Sequence, residues 1–484
     1  MKIIAEVIAK EDINDIPNKN IRDIAGFPMV TNCLYTLINS KSINEIYILS
    51  NSKDVRKTVA TYGNIYDKKN KQVYIHDLGY ETNDYDIKIH LKSSFLYIRP
   101  ETIDKIVNYV IDNNIKLLKT FDDELYVEYK NGLINDSYKD FLDSEKIDFD
   151  NYKYLYSCHN NGSLKVGYYV NGNNQRGLGH IFRALDIADD FYNKPDIYFD
   201  INQTKEDYFG ITHHNIMPVN GLSDLYNKCK EKQYDVFITD ILSTNDEYMN
   251  ELRNSMPKAR LVNFEDDGQG ASKADLVFNA LLPNEKYGNM YCGDKYYICD
   301  ESYIIVKQKP IEEKVGKIFI CFGGADPKNY TDLVLQIISK DDYKDFEFMV
   351  VLGKSKENVD ELLKYNKYSN IDVQYNVKEV AILMKKADIA ITSRGNMAFE
   401  LALLGIPTIS IAQNENEMKH DFASEKNGFA FLGMDPDCQA TEDIIKKYLY
   451  MSKEDREKIR KIYNDIDLRG GRKRVMDLIN GTKN

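Results

Sequence analysis

The chain of 484 residues has no tryptophan, no apolar run approaching 18 residues and no excess of positive charge. A membrane-spanning helix needs about 20 apolar residues, so none is expected. Acidic residues occur too early at the N-terminus for a signal peptide. The formal net charge of −12 argues against a general nucleic-acid-binding surface. Together these absences predict a soluble, cytoplasmic protein. Anionic substrates stay open, because backbone amides and helix ends can hold phosphates.

Cysteine is present, but its arrangement matches neither a disulfide framework nor a metal site. The seven cysteines are scattered and include no Cys-x-x-Cys pair. Cys292 and Cys299 are the closest pair, and they have neither the spacing nor the companion histidines of a zinc site. An odd, dispersed set predicts free thiols in a reducing compartment and no metal ion.

Alternating strand and helix patterns divide the chain into three α/β blocks. Residues 1–162 predict a parallel sheet, although the stretch 120–162 has no clear period and contains the linker candidate 158–163. Residues 163–312 and 313–484 predict two Rossmann-like domains that face each other across a cleft. The last block is expected to end in two helices, at about 439–449 and 453–480.

The most informative motif is Gln-Arg-Gly-Leu-Gly-His-Ile-Phe-Arg at residues 175–183. It joins an apolar strand to a stretch with helical apolar spacing. Gly177 and Gly179 let the backbone approach a ligand, and the helix N-terminus attracts an anion. The helix dipole disfavours an imidazolium, so His180 is expected to stay neutral and to act as a general base. Arg183 is expected in the same phosphorylated-ligand site. The alternative is a tight turn in which His180 caps the helix.

A second glycine turn predicts the opposite wall of this site. Gly323 and Gly324 follow a buried strand and precede a helix. Their amides would face a diphosphate across the cleft from His180. An ordinary strand-to-helix turn would use the same glycines, so this alternative stays open.

A third turn, Ser-Arg-Gly-Asn, lies between a strand and a helix. Its residues would meet a phosphate at the helix N-terminus, and they are Ser393, Arg394, Gly395 and Asn396. Glu400 follows about one turn into the helix, within an apolar stretch. A specific partner such as ribose hydroxyls is therefore favoured over the alternative of a solvated carboxylate.

Residues 165–430 resemble the GT-B nucleotide-sugar enzymes, and in particular the UDP-sugar hydrolases of pseudaminic acid biosynthesis. The motifs that carry the resemblance are the glycine-histidine turn, Phe-Glu-Asp-Asp at 264–267, the Gly-Gly turn, and the unit from Ser-Arg-Gly-Asn to Gly-Ile-Pro. The resemblance implies that His180 activates a water for attack on the anomeric carbon, and that UDP leaves without a metal or other cofactor. It also implies that Glu400 holds the uridine ribose. A polar residue that these hydrolases use near the sugar is replaced here by Phe399, and His420 falls in a loop near the nucleotide sugar.

Residues 16–29 resemble the opening motif of the acylneuraminate (CMP-sialic acid) cytidylyltransferases. Those enzymes precede it with a glycine- and lysine-containing loop that grips the CTP phosphates, whereas residues 10–15 here carry three acids (Glu11, Asp12 and Asp15) and no glycine. Acidic side chains repel a triphosphate and Cβ atoms block its approach. Lys19 and Asn20 are retained, which implies a residual nucleotide site, with Mg²⁺ needed only if this domain is active. The alternative is a degenerate domain kept for packing or assembly.

Both resemblances imply the making of nonulosonic acids, the sialic-acid-like sugars of surface glycans and flagella. They predict hydrolysis of a UDP-linked diacetamido-trideoxy hexose, with UDP released by water attack at C1, and other enzymes of the same pathway as partners. Three alternatives stay open. They are a GT-B glycosyltransferase, a bifunctional enzyme that is also a working cytidylyltransferase, and a non-catalytic nucleotide-sugar-binding subunit.

Overall fold

The computed structural model describes residues 1–10, 18–24, 27–66, 71–93, 100–120, 125–134, 137–139, 164–172, 178–191, 193–210, 212, 214–377 and 380–481. The chain forms two compact units, Met1–Phe149 and Asp150–Asn484. Among the described residues, no helix is long and apolar enough to cross a membrane.

The described residues of the first unit form nine strands and three helices. The strands are β1 (Ile3–Ile8), β2 (Asp23–Ile24), β3 (Phe27–Pro28), β4 (Glu45–Leu49), β5 (Gln72–His76), β6 (Ile87–Lys92), β7 (Leu117–Thr120), β8 (Leu125–Tyr129) and β9 (Ser137–Tyr138). The helices are α1 (Met29–Asn39), α2 (Lys53–Tyr66) and α3 (Pro100–Asp112). Seven strands form one sheet in the order β5-β4-β1-β6-β8-β7-β9. Alternate residues of β1, namely Ile3, Ala5 and Val7, pack with all three helices into one core.

This first sheet is mixed, so the prediction of a parallel sheet was wrong for its last strands. Strand β8 runs antiparallel to both β6 and β7. Its connection to β7 is too short for a parallel crossover, which needs a dozen or more residues. Strands β8 and β9 also lie within the stretch after residue 120 for which the sequence predicted no regular structure. The linker candidate 158–163 lies outside the described residues.

The second unit begins with a parallel seven-stranded sheet in the order β12-β11-β10-β13-β14-β15-β16. Its strands are β10 (Val166–Val170), β11 (Asp196–Asp200), β12 (Asn215–Val219), β13 (Val236–Asp240), β14 (Arg260–Phe264), β15 (Leu276–Asn279) and β16 (Met290–Cys292). Its helices are α4 (Gly179–Ala188), α5 (Leu222–Lys232) and α6 (Asp246–Ser255). The strand order reverses at β10, and open α/β sheets bind ligands at the carboxyl ends of the strands beside such a switch point.

A parallel six-stranded sheet follows in the order β19-β18-β17-β20-β21-β22. Its strands are β17 (Lys317–Cys321), β18 (Glu347–Leu352), β19 (Ile371–Tyr375), β20 (Ile389–Ser393), β21 (Thr408–Ala412) and β22 (Ala430–Met434). The remaining helices are α7 (Glu301–Ile305), α8 (Tyr330–Ile338), α9 (Val359–Leu363), α10 (Val380–Met384), α11 (Met397–Leu403), α12 (Glu415–Met418), α13 (Cys438–Leu449), α14 (Lys453–Asp465) and α15 (Gly471–Asn480). The order reverses at β17, so the predicted pair of Rossmann-like domains is confirmed. The predicted boundaries at 162/163 and 312/313 stay predictions.

The end of the chain differs from the expected single helix over 453–480. It forms α14 and α15, which are separated at residues 466–470. A Cβ at Gly471 would lie 2.2 Å from the carbonyl oxygen of Tyr297, so only glycine fits there. Helix α15 packs into the core of the β10 sheet, where the fully buried Arg472 Nε lies 2.6 Å from Asp190 Oδ2. The chain therefore returns from the third sheet to the second.

Candidate functional site

His180 lies at the start of α4, beside the carboxyl ends of β10 and β13. Its Nδ1 lies 2.5 Å from Oδ1 of Asp240, the last residue of β13. A carboxylate oxygen only accepts, so this contact places the ring proton on Nδ1 and leaves the lone pair on Nε2. Within the described part of the chain, no side chain contacts Nε2. The ring is 7% exposed. The pair thus presents an oriented imidazole that can accept a proton.

Arg183, one helical turn after His180, holds the same carboxylate. Its Nε donates to Asp240 Oδ2 at 2.8 Å and its Nη2 donates to Oδ1 at 2.7 Å. Its Nη1 donates to Glu265, which follows β14. The hydroxyl of Tyr168 donates to Asp240 Oδ2 at 3.1 Å. Both oxygens of Asp240 are therefore hydrogen-bonded. The sequence assigned Arg183 to the substrate, whereas its guanidinium here joins two carboxylates.

These contacts set the charges of the pair. Burial disfavours the ionised form of Asp240, but Arg183 and His180 outweigh it and hold the pKa of this carboxyl below its usual value. Burial also lowers the pKa of His180, but the adjacent Asp240 outweighs it, so this pKa is raised. The expectation that the helix dipole would keep His180 neutral was wrong in direction, because a carboxylate in direct contact outweighs a partial charge.

The predicted glycines have different surroundings. Gly177 lies outside the described residues. A Cβ at Gly179 or at Gly324 would meet nothing within 4 Å, so both backbones border open space. Gly323 has φ +80°, which favours glycine, and a Cβ there would lie 3.9 Å from Ser393 Oγ.

The two turns of the third sheet are neighbours because their strands pair. Strands β17 and β20 run side by side, which places the Gly-Gly turn next to the Ser-Arg-Gly-Asn turn. A Cβ at Gly395 would lie 3.6 Å from both Ser393 Oγ and Glu417 Oε1. Asn396 precedes α11, and its side chain makes no capping hydrogen bond. The structure thus brings five predicted ligand residues to one edge and adds a carboxylate, Glu417, that the sequence analysis missed.

Arg394 in this turn contacts protein rather than open space. Its Nε donates to the carbonyl of Ala423 at 2.9 Å, and its Nη1 donates to that of Met418 at 2.7 Å. Its backbone N–H donates to Ile411 at 3.1 Å. Burial lowers the pKa of this guanidinium. The arginine that was predicted to bind substrate therefore braces the loop that follows β21.

Glu400 in α11 is partly buried and accepts a hydrogen bond from the hydroxyl of Tyr303 in α7. Burial raises the pKa of Glu400 to about 7, with Asp300 adding to the rise and Tyr303 opposing it. Glu400 thus has a partner within the protein, Tyr303, that was not identified from the sequence, and its contact with ribose hydroxyls stays a prediction.

Phe399 and His420 lie in the protein interior. The ring of Phe399 is fully buried and stacks on Tyr297 and Phe422, with centroids 4.2 and 4.4 Å away. His420 is also buried, and its Nδ1 lies 2.7 Å from the carbonyl oxygen of Arg394. Burial lowers the pKa of His420 to about 4. Phe399 is thus part of an aromatic core, and its ring is buried away from any sugar that the chain could bind.

In the first unit, Asn20 is buried and serves local structure. Its Nδ2 donates to the carbonyl of Lys10 at 2.9 Å, and its Oδ1 accepts from the hydroxyl of Ser93. Lys19 is half-buried in the short turn Lys19–Ile21. The acidic positions 11–15 lie outside the described residues. In the described ranges, no group of three or more His, Cys, Asp or Glu side chains is placed to hold a metal ion.

Asp240 and Glu265, the two carboxylates around His180 and Arg183, were also not identified by the sequence analysis. Asp240 ends a predicted strand, and side chains at the carboxyl ends of neighbouring parallel strands meet at one edge. That signal becomes useful only once β10 and β13 are known to pair. Glu265 lies in the Phe-Glu-Asp-Asp motif, which was used for the resemblance without assigning a role to the residue.

A family model and two curated proteins match parts of the chain. A family model described as "Protein of unknown function (DUF354)" matches residues 297–469. The chain is similar to the uncharacterized protein MJ1062 of Methanocaldococcus jannaschii, with 31% identity over 277 residues that cover 52% of this chain and 56% of that protein. It is also similar to the spore coat polysaccharide biosynthesis protein SpsG of Bacillus subtilis, with 25% identity over 271 residues that cover 52% of this chain and 79% of that protein. The chain thus spans little more than half the length of the archaeal relative.

Two solved structures show lower similarity. MurG of Acinetobacter baumannii matches 66% of this chain over its full length, with 12% identity and a TM-score of 0.45. CMP:2-keto-3-deoxy-manno-octonic acid synthetase, in complex with CTP, matches 25% of this chain and 52% of its own, with 17% identity and a TM-score of 0.22.

Proposed function

We propose that the second unit processes nucleotide sugars and hydrolyses a UDP-linked amino-deoxy sugar to free sugar and UDP. The observation that carries this proposal is the His180–Asp240 pair. The carboxylate fixes the Nδ1–H form, so Nε2 is the atom that takes a proton from water. The oxygen of that water attacks C1, the bond from C1 to the diphosphate oxygen breaks, and UDP leaves with the electron pair. Attack from the face opposite the leaving group inverts the configuration at C1.

The raised pKa of His180 has a direct consequence for this chemistry. A general base must be unprotonated, so turnover should rise as the pH passes upward through the pKa of His180. Asp240 makes the base stronger and holds it in place. A correctly placed Nε2 should increase the rate by about 10²- to 10⁴-fold, the usual range for general-base catalysis.

The nucleotide is proposed to bind at the edge of the third sheet. The backbone around Gly324 borders open space, and its amides could stabilise the charge of the departing diphosphate. Glu400 is proposed to accept from the ribose hydroxyls. The SpsG relative supports a product destined for a surface polysaccharide. A diacetamido-trideoxy hexose for nonulosonic acid synthesis is the specific substrate we propose.

Replacement of His180 tests the assignment of the base. His180→Ala should abolish the release of UDP, as measured by phosphorus NMR. Calorimetry should show that the variant still binds UDP. His76→Ala is a matched control, because His76 is a half-buried histidine of the first unit. The control should keep full turnover. Wild-type rates in His180→Ala would show that another group is the base.

A transferase that delivers the sugar to an acceptor is the second candidate. Phe182, two residues after His180, is 55% exposed and offers apolar surface near the proposed base. UDP release that requires no added acceptor favours the hydrolase, whereas strict dependence on an acceptor favours the transferase.

The first unit is proposed to be a degenerate nucleotidyltransferase-like domain. The contacts of Asn20 with Lys10 and Ser93 support a role in packing. Incubation with CTP, Mg²⁺ and a nonulosonic acid should release no pyrophosphate. Release at enzymatic rates would establish the bifunctional alternative.

A further inference from the structure

Glu265 is a buried carboxylate with one oxygen that the proposed reaction does not use. Its side chain is 14% exposed, and Oε1 accepts from Arg183 Nη1. Among the residues that the structure describes, none donates to Oε2. The two oxygens of Asp240, by contrast, accept from His180, Arg183 and Tyr168. Oε2 of Glu265 is thus the unfilled acceptor of the cluster.

The charges around Glu265 keep its second oxygen a strong acceptor. The single positive charge of Arg183 faces two carboxylates, so the cluster carries one net negative charge when His180 is neutral. Burial opposes ionisation of Glu265, but Arg183 outweighs it and holds the pKa of this carboxyl below its usual value. Glu265 therefore stays ionised, and its second oxygen can accept a charge-assisted hydrogen bond from a ligand.

The guanidinium of Arg183 places Glu265 beside the proposed base. Nη2 lies 3.0 Å from His180 Nδ1, and Nη1 of the same group donates to Glu265. The carboxylate and the imidazole therefore contact adjoining nitrogens of one planar fork. We take a sugar to lie with C1 over His180 Nε2 and with its C2 substituent on the side of the imidazole ring where Arg183 and Glu265 lie.

We propose that Glu265 accepts a hydrogen bond from a donor on C2 of the sugar, and so selects nucleotide sugars that carry a hydroxyl or an acetamido N–H at that position. This inference rests on the proposed function, because it takes C1 to lie at His180. A hydrogen bond to a charged group contributes about 1.5–3 kcal/mol, which corresponds to about ten- to a hundredfold in affinity.

Binding of three probes tests the inference without requiring turnover. The probes are UDP-N-acetylglucosamine, UDP-2-deoxyglucose, which lacks the donor, and UDP, which lacks the sugar. The wild-type chain should bind the first at least about tenfold more tightly than the second in calorimetry. Glu265→Gln should reduce that ratio to about twofold or less and leave the affinity for UDP unchanged.

Two further variants separate recognition from structure. Glu265→Gln keeps an oxygen for Arg183, and its melting temperature checks that it folds. Glu265→Asp keeps the charge but withdraws it by one methylene, so it should give an intermediate ratio even if the Gln variant unfolds. Asp267→Asn, on the same loop, removes the charge of an exposed carboxylate and keeps an oxygen that can accept from Ser243 Oγ, so it should behave like wild type.

Three results would overturn the inference. They are a wild-type chain with no preference for the C2 donor, a Glu265→Gln variant that keeps the preference, and an equal loss of affinity for UDP. The last would mean that Glu265 only holds Arg183 in place. If UDP sugars bind with the expected preference but no UDP is released, the hydrolase proposal fails and this inference stands.

Discussion

Replacement of Asp240 by asparagine tests how the charge of one carboxylate controls the proposed base. The change keeps the size of the side chain and removes its charge. The asparagine has one accepting oxygen, for which His180 and Arg183 compete. Its NH₂ group is itself a donor and cannot accept from either of them. The proton of His180 is then no longer held on Nδ1, and Nε2 is no longer fixed as the acceptor.

The contacts predict two separate effects, one on the plateau of kcat/KM and one on the pKa of His180. Loss of the oriented acceptor should lower the plateau of kcat/KM by about 10²- to 10⁴-fold, which is about 3–5 kcal/mol of transition-state stabilisation. Loss of the negative charge should also lower the pKa of His180, because Asp240 is the first cause that raises it. The acid limb of the pH profile should therefore move to lower pH while the plateau falls.

The assay is the rate of UDP release from a UDP-sugar between about pH 5 and 10, a range that includes the ordinary pKa of histidine. Tyr168→Phe is the matched control, because it removes one hydrogen bond from an uncharged donor to Asp240 and keeps the charge of the carboxylate. It should shift the profile less than Asp240→Asn does and lower the plateau by about tenfold or less, because the contact of the carboxylate with His180 remains. An unchanged plateau in Asp240→Asn, or an acid limb that moves to higher pH, would refute the reasoning.

Three further substitutions check other parts of the structure. Glu400 has a pKa of about 7 in the folded chain, above its value in the unfolded chain, so its ionisation destabilises the fold as the pH rises towards 7. Glu400→Gln should therefore raise the free energy of unfolding by about 1–3 kcal/mol at pH 8 and change it little at pH 4, as measured by urea titration. Phe399→Ala should lower it by about 3–5 kcal/mol in the same assay, because the ring stacks in a buried core; a stable variant with altered sugar preference would contradict this. Asn20→Ala should destabilise the chain by about 1–3 kcal/mol, as the buried partners Lys10 and Ser93 lose their bonds; weaker nucleotide binding without any change in melting would contradict a packing role.

Local patterns predicted those parts of the fold in which neighbours along the chain decide the structure. The helix expected at about 439–449 forms as α13, Cys438–Leu449, and the helix expected after the Ser-Arg-Gly-Asn turn forms as α11. The division of 453–480 was missed although Gly470 and Gly471 lie at the break. What decides it is the contact of Gly471 with Tyr297, far away along the chain. The antiparallel direction of β8 follows from its short connection to β7. That connection could be read from the sequence only if β8 had been recognised as a strand.

The candidate site shows the same limit. His180 was found because its turn has a local signature, whereas Asp240 lies 60 residues further along and becomes a partner only through the pairing of β10 with β13. The roles of the arginines could not be predicted for the same reason. Arg183 and Arg394 both lie in turns that suit anions, yet one binds carboxylates and the other binds carbonyl groups.

The two switch-point turns of the second unit differ in charge, and this difference argues for a division of roles. The turn after β10 carries His180 within a cluster of two carboxylates and one arginine, which repels a diphosphate but suits activation of water. The turn after β17 carries Gly323 and Gly324, which have no charged side chain, and the Cα of Gly324 faces open space. Glu417 approaches the neighbouring Gly395, and repulsion by that carboxylate favours a diphosphate nearer Gly324. A nucleotide sugar would therefore lie with its diphosphate at the third sheet and its C1 at the second, which is the orientation that attack by a His180-activated water requires.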